Sequence, residues 1–277
     1  MTQYLNKFGI SFRIIGVVST LAIAMFVYAS LSLVALWSEK TDIEHLDEVI
    51  AFAPYVSKVV HELQNERGAS AGYINSNGAT QYKSILDMQK RTSNNAIVDF
   101  KAHVSDIHLD EFDEEFVSLL NRSISEADGI TSARRNVEGL SSTTGQMTKE
   151  YTSVIHDLML VIEEVATLTH NAELLSEVTA YIAVLEQKEA AGLERATGAA
   201  AFVKGSVTGA ELNNFISLIS KQETFSLVFH TYATPNFIAE YDRLMSGSNV
   251  QTLEQLRDVV ISSSGDFTGH SAVGTTE

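Results

Sequence analysis

Two arginines carry the chemistry most plainly written in this chain. Arg67 lies in LQNERGASAGYI, Leu63 to Ile74, and Arg195 in LERATGAAAF, Leu193 to Phe202; in both, a Glu-Arg pair precedes a run of small residues. A guanidinium is a planar fork of N–H donors that stays charged at any biological pH. It therefore suits planar oxyanions that a lysine would hold only as a point charge. Small side chains let another backbone come close, so each arginine is expected in a tight seam between helices, the two together forming a site for a small anion. Glu66 and Glu194 are expected to orient the guanidinium groups or offset part of their charge. Gly68, Ser70 and Gly198 are expected to support the close packing. Set against this is the plainer reading of each Glu-Arg pair as a solvated helix face.

Nitrate and nitrite fit a two-arginine site, being small, flat and ionised near neutral pH. Other chemistry is thinly represented. The chain has no cysteine, which removes disulfides, thiolate ligands and cysteine nucleophiles together. Of its eight histidines, His103 and His108 are five apart, a spacing that does not place both on one helix face for a metal. The acidic runs Asp110 to Glu115 and Glu163-Glu164 read as helix starts and solvated faces. The expected role is ligand binding without catalysis, metal or cofactor.

The elements that must position these residues are helical. The 277 residues are 45% hydrophobic and 19% charged, and only Pro54 and Pro235 interrupt a composition that favours long helices. The expected class is all-α. A formal charge of -16 argues against nucleic acid and anionic lipid surfaces, and it obliges any anion site to be made by local arginines. From Ile14 to Trp37 no residue is charged, a run long enough to cross a hydrocarbon core of about 30 Å as a helix. Lys7 and Arg13 precede it, while Glu39, Asp42 and Glu44 follow, which orients the N-terminus to the cytoplasm. Residues 1–13 are then cytoplasmic, 14–37 a bilayer anchor, 38–261 a sensor domain outside the membrane, and 262–277 an irregular, truncated tail.

Apolar periodicity outlines the rest. A first helix runs from Asp42 to Ile74, and Asn75-Ser-Asn-Gly78 ends it. A second spans about Thr80 to His103, and a third about Leu109 to Val137 with Phe112, Phe116 and Leu120 in its stripe. Glu138 to Gly145 is a loop, and a fourth helix follows through Tyr151, Ile155 and Leu158. After Thr169-His170-Asn171 a long helix runs from Ala172 to Lys204 and carries the second phrase. Thr208-Gly-Ala-Glu211 is a capping box, Thr234-Pro235 opens another helix, and Ser248 or Asn249 opens the last. The expected architecture is an anchor helix followed by two stacked, up-down, four-helix-bundle-like halves.

LQNERGASAGY at Leu63 to Tyr73, with QKEAAGLERATGAAAF at Gln187 to Phe202, resembles the NIT domain, a nitrate- and nitrite-sensing module of bacterial receptors and some soluble regulators. Arg134 or Arg135 before Val137, Tyr151-Thr152 ahead of Ile155, and Gln222 through Phe229 to Ala233 agree with it, over roughly Val56 to Tyr241. The resemblance implies stacked helical bundles with the anion held between Arg67 and Arg195. It also implies a homodimeric receptor of the inner membrane, with its sensor in the periplasm. Receptors of this kind continue into a second span and a cytoplasmic output of chemoreceptor, cyclase or kinase type, which this chain does not reach, so its output partner is unknown. The rival readings are a sensor for another small anion such as a carboxylate, and a structural bundle within a membrane complex.

Overall fold

The structure is a computed structural model, and it describes residues 51, 53–168 and 171–262 together with Met25, Phe26 and Tyr28, with only the backbone described at Glu111 and Val203. The expected anchor at 14–37 and the tail at 263–277 lie outside the described residues, apart from those three exposed helical positions. Among the described residues, no helix is long and apolar enough to cross a membrane.

The described chain is all-α. Helix α1 covers residues 53–75 and ends at Asn77 and Gly78, whose φ angles of 52° and 81° turn the chain left-handed, as the Asn/Gly composition anticipates. Helix α2 is Thr80–Val104. A short 3₁₀ turn, Leu109–Glu111, then leads to α3, Glu114–Glu138. The periodicity placed this helix start at Leu109, but Asp113 is extended and accepts a hydrogen bond from the Phe116 amide, which caps the helix five residues later than expected. Helix α4 is Thr144–Leu168.

Contacts between these helices fix their directions. Lys58 meets Asp99 and Glu62 meets Gln89, so α2 runs back along α1; Lys101 meets Asp128 and Lys90 meets Glu138, so α3 reverses again. Asn75 meets Thr144 and Glu66 meets Tyr151, which places α4 antiparallel to α1. The first half is thus an up-down bundle of four, and its single core includes Val59, Leu63, Phe100, Phe116, Met147 and Leu158. Gly72 packs closely on α2: an added Cβ would lie 3.0 Å from the Tyr82 ring, which would have to shift to admit it.

Helix α5, Ala172–Lys204, is capped by Asn171 at one end and by Gly205 (φ 70°) at the other. Helix α6, Gly209–Tyr232, starts with the complete Thr208/Glu211 capping box and runs back along α5, with Lys204 beside Glu211 and Glu186 beside Lys221. The remaining helices depart from an up-down bundle of four. Helix α7, Pro235–Met245, brings Tyr241 to Gln187, and α8, Ser248–Ser262, brings Arg257 to Glu194 and Val260 to Ala201. Helix α7 thus meets α5 at Gln187, and α8 meets it further on at Glu194 and Ala201, running in the same direction as α5. Among the described residues the second half has two small apolar clusters, around Phe229 and around Phe215.

Candidate functional site

The two long helices, α1 and α5, run parallel. Climbing α1 from Ser57 through His61 and Gln64 to Arg67, the partners climb α5 from Tyr181 through Lys188 to Glu189. Arg67 is 5% exposed and lies in this seam, as its small neighbours suggested. Its Nη1 donates to Glu189 Oε1 at 2.5 Å and to Thr152 Oγ1 at 2.7 Å, and its Nη2 donates to Glu189 Oε2 at 3.0 Å. Gln64 Nε2 donates to the same Oε2 at 2.8 Å, while Gln64 Oε1 is buried without a hydrogen-bond partner. The arrangement is a planar, bidentate, buried ion pair, the geometry in which an arginine fork recognises an oxyanion best.

Glu66, expected to orient Arg67, serves a different arginine. Its carboxylate is fully buried and receives Arg134 Nε and Nη2, each at 2.7 Å, together with the Tyr151 hydroxyl at 2.7 Å. Adjacent residues on a helix point about 100° apart, so Glu66 and Arg67 cannot address the same partner. Arg134 also donates to Asn94 Oδ1 at 2.6 Å, and Ser70 donates to the Tyr151 hydroxyl at 3.5 Å. Burial, reinforced by the Glu66 carboxylate, pushes the Tyr151 phenol well above its ordinary range, so it stays a hydrogen-bond donor. Of the two arginines at 134 and 135, only Arg134 is buried.

The second phrase repeats half of this pattern. Glu194 is 2% exposed and receives Arg257 Nε and Nη2, each at 2.7 Å, and Gln222 Nε2 at 2.6 Å. Gln222 Oε1 in turn accepts from Arg257 Nη2 at 3.0 Å. Arg195 is exposed and forms no hydrogen bond or ion pair among the described residues, so it does not share the buried seam expected of both arginines. It stands one turn beyond Gly192, and a Cβ added at Gly192 would lie 3.4 Å from Arg67 Nη2. Gly198 is buried against the Phe215 ring. Gly68, expected to pack closely beside Arg67, is exposed, and a Cβ added there would meet open space; the glycine that opens space at Arg67 is Gly192.

Sequence reasoning missed Glu189, Gln64, Gly192, Thr152 and Arg257 as partners. Glu189 and Gly192 both lie in the stretch QKEAAGLERATGAAAF, and the signal present was a glycine in the interior of a long helix, which costs roughly 1 kcal/mol against alanine. Beside Glu189 is a cavity of about 110 Å³ lined by Thr152, His156, Met159, Glu186, Leu193 and Lys221 among others. Among the described residues no group of three or more His, Asp or Glu is placed to hold a metal.

A search of curated protein sequences finds no match. The solved structure of the NasR transcription antiterminator is similar in fold, with a TM-score of 0.74 at 22% identity, covering 80% of this chain. The chain spans 59% of that protein's length. The family model described as nitrate and nitrite sensing matches residues 58–275, which extends past the Val56 to Tyr241 stretch of the resemblance and takes in the helix that supplies Arg257. With the two Glu-Arg phrases on parallel helices inside that match, the chain belongs to the NIT family of nitrate- and nitrite-sensing domains.

Proposed function

We propose that this protein senses nitrate or nitrite through Arg67 and Arg195. The observation that carries the reading is the state of the Arg67 fork: buried, planar and engaged in plane by two oxygens of one carboxylate. A fork held in that way is preorganised for any planar oxyanion. Arg195, one turn past Gly192 on the neighbouring helix, adds a positive charge that no described carboxylate offsets. Arg67 supplies shape and Arg195 supplies charge. Sensor families of this kind bind and do not catalyse.

The uncharged run from Ile14 to Trp37 supports an inner-membrane anchor, with the helical domain in the periplasm and a homodimer as the signalling unit. Anion binding between α1 and α5 then biases a small sliding or rotation of α1, the helix that leads back towards the anchor. A second reading, a small-carboxylate sensor, is favoured by the fact that the fork already accepts a carboxylate. Calorimetric titration of the full chain in detergent with nitrate, nitrite and acetate separates the two. Saturable nitrate or nitrite binding, lost in Arg67→Ala/Arg195→Ala, supports the first. Binding of acetate alone supports the second, and no heat from a folded sample defeats both.

A further inference from the structure

We infer that Glu189 is an internal competitor for the anion, a carboxylate that holds the Arg67 fork and yields it by turning into the cavity at its side. This rests on the nitrate and nitrite reading above. Three observations carry it. Both Nη atoms of Arg67 face Glu189, so an anion seeking the end of the fork meets a carboxylate in the same plane. Glu189 also lines the cavity of about 110 Å³, where Lys221 and His156 stand on the wall. Lys221, which now pairs with Glu186 at 2.8 Å, is a cation on the wall of the cavity that Glu189 also lines.

The third observation is Gln64. It is buried, donates once to Glu189 Oε2, and leaves its own Oε1 without a partner, so the hydrogen bond it supplies serves to hold that carboxylate in the fork. The consequence is a set affinity. A ligand that must wait for the fork to open binds more weakly in proportion to the fraction of time it is open. Glu189 thereby fixes the concentration at which the sensor responds, and substitutions in it shift that threshold without touching Arg67 or Arg195.

The experiment is nitrate titration of the full chain in detergent for the wild type, Glu189→Gln, Lys221→Met and the double variant, with helical circular dichroism verifying each fold. Glu189→Gln is expected to tighten nitrate binding ~10-fold or more, about 1.4 kcal/mol. Lys221→Met is expected to weaken it in the wild-type background and to have no effect once Glu189 is replaced, since residues acting on one another do not add. A folded Glu189→Gln protein that binds no tighter overturns the competitor role, as does a Lys221→Met effect of equal size in both backgrounds. If Glu189→Gln fails to fold, Lys221→Met alone decides: unchanged affinity overturns the role. Nitrate binding that depends on Arg67 but ignores Glu189 leaves the sensing reading standing, whereas absence of nitrate binding in the wild type and in Glu189→Gln ends both.

Discussion

At the first Glu-Arg phrase both side chains are buried; at the second only the glutamate is. Helix α1 is packed on two sides, against α2 through Glu62, against α3 and α4 through Glu66, and against α5 through Arg67. Helix α5 points Glu194 towards α6 and α8, and its next residue, turned about 100° around the axis, meets solvent. The two glutamates thus do the same work, each gripping one distant arginine in two places and one further donor. The two arginines do different work. One is part of the bundle's internal polar network, and the other is free to meet something that arrives from solution.

The largest effect that tests this contrast is Glu66→Ala. It removes the only described counter-charge of Arg134, which keeps just the neutral Asn94, and the acceptor of the Tyr151 hydroxyl, and removing one partner of a buried pair costs about 3–5 kcal/mol. Urea unfolding should show that loss, and a smaller loss for Glu194→Ala, whose partner Arg257 retains Glu254 and Gln222. Equal losses would mean that the two phrases are energetically equivalent after all. Next, Arg67→Ala should also lower stability, by less than Glu66→Ala, because Glu189 loses its cation but keeps the Gln64 hydrogen bond, whereas Arg195→Ala should stay within about 0.5 kcal/mol while abolishing anion binding. A destabilised Arg195→Ala protein would break the distinction between an internal arginine and a free one.

The glycines sharpen it further. Gly192→Ala removes a mid-helix glycine where only the end of Arg67 is near, so thermal unfolding should show a gain of up to ~1 kcal/mol, accompanied by weaker nitrate binding as the Cβ crowds Nη2. Gly198→Ala presses on the buried Phe215 ring at 3.3 Å, so the same helical gain should be offset and anion affinity unchanged. The smallest effect is pH-dependent and confined to the second half. His230 is raised above its ordinary range by its bond to the Ser226 carbonyl and then by Asp242, linking α6 to α7. A raised folded value means the contribution is complete below the ordinary histidine pKa of about 6.5 and is lost as pH rises through the folded value. An NMR titration placing His230 at or below the ordinary value would remove this link, and His230→Ala should flatten the pH dependence there.

Most of the helices were legible because their causes are local. Gly205 and Asn77-Gly78 end helices by turning left-handed, Thr208 and Glu211 cap each other, and Pro235 opens α7, all within a few residues of chain. The late start of α3 was missed because Asp113 outcompetes the apolar rhythm that begins at Leu109. The course of α8 in the same direction as α5 departs from the expected up-down order, since nothing local states which way a helix packs after a Gly247 turn.

The sequence by itself determined the all-helical class, the two equivalent phrases and, through them, the family. It also marked Arg67 and Arg195 as the cations worth following. Only the tertiary structure decided what each charge meets. Neighbours on a helix diverge by about 100°, so the Glu-Arg phrase cannot say which of its two charges is buried. Arg134, Glu189 and Arg257, the partners that answer that question, are brought to Glu66, Arg67 and Glu194 by packing across the bundle.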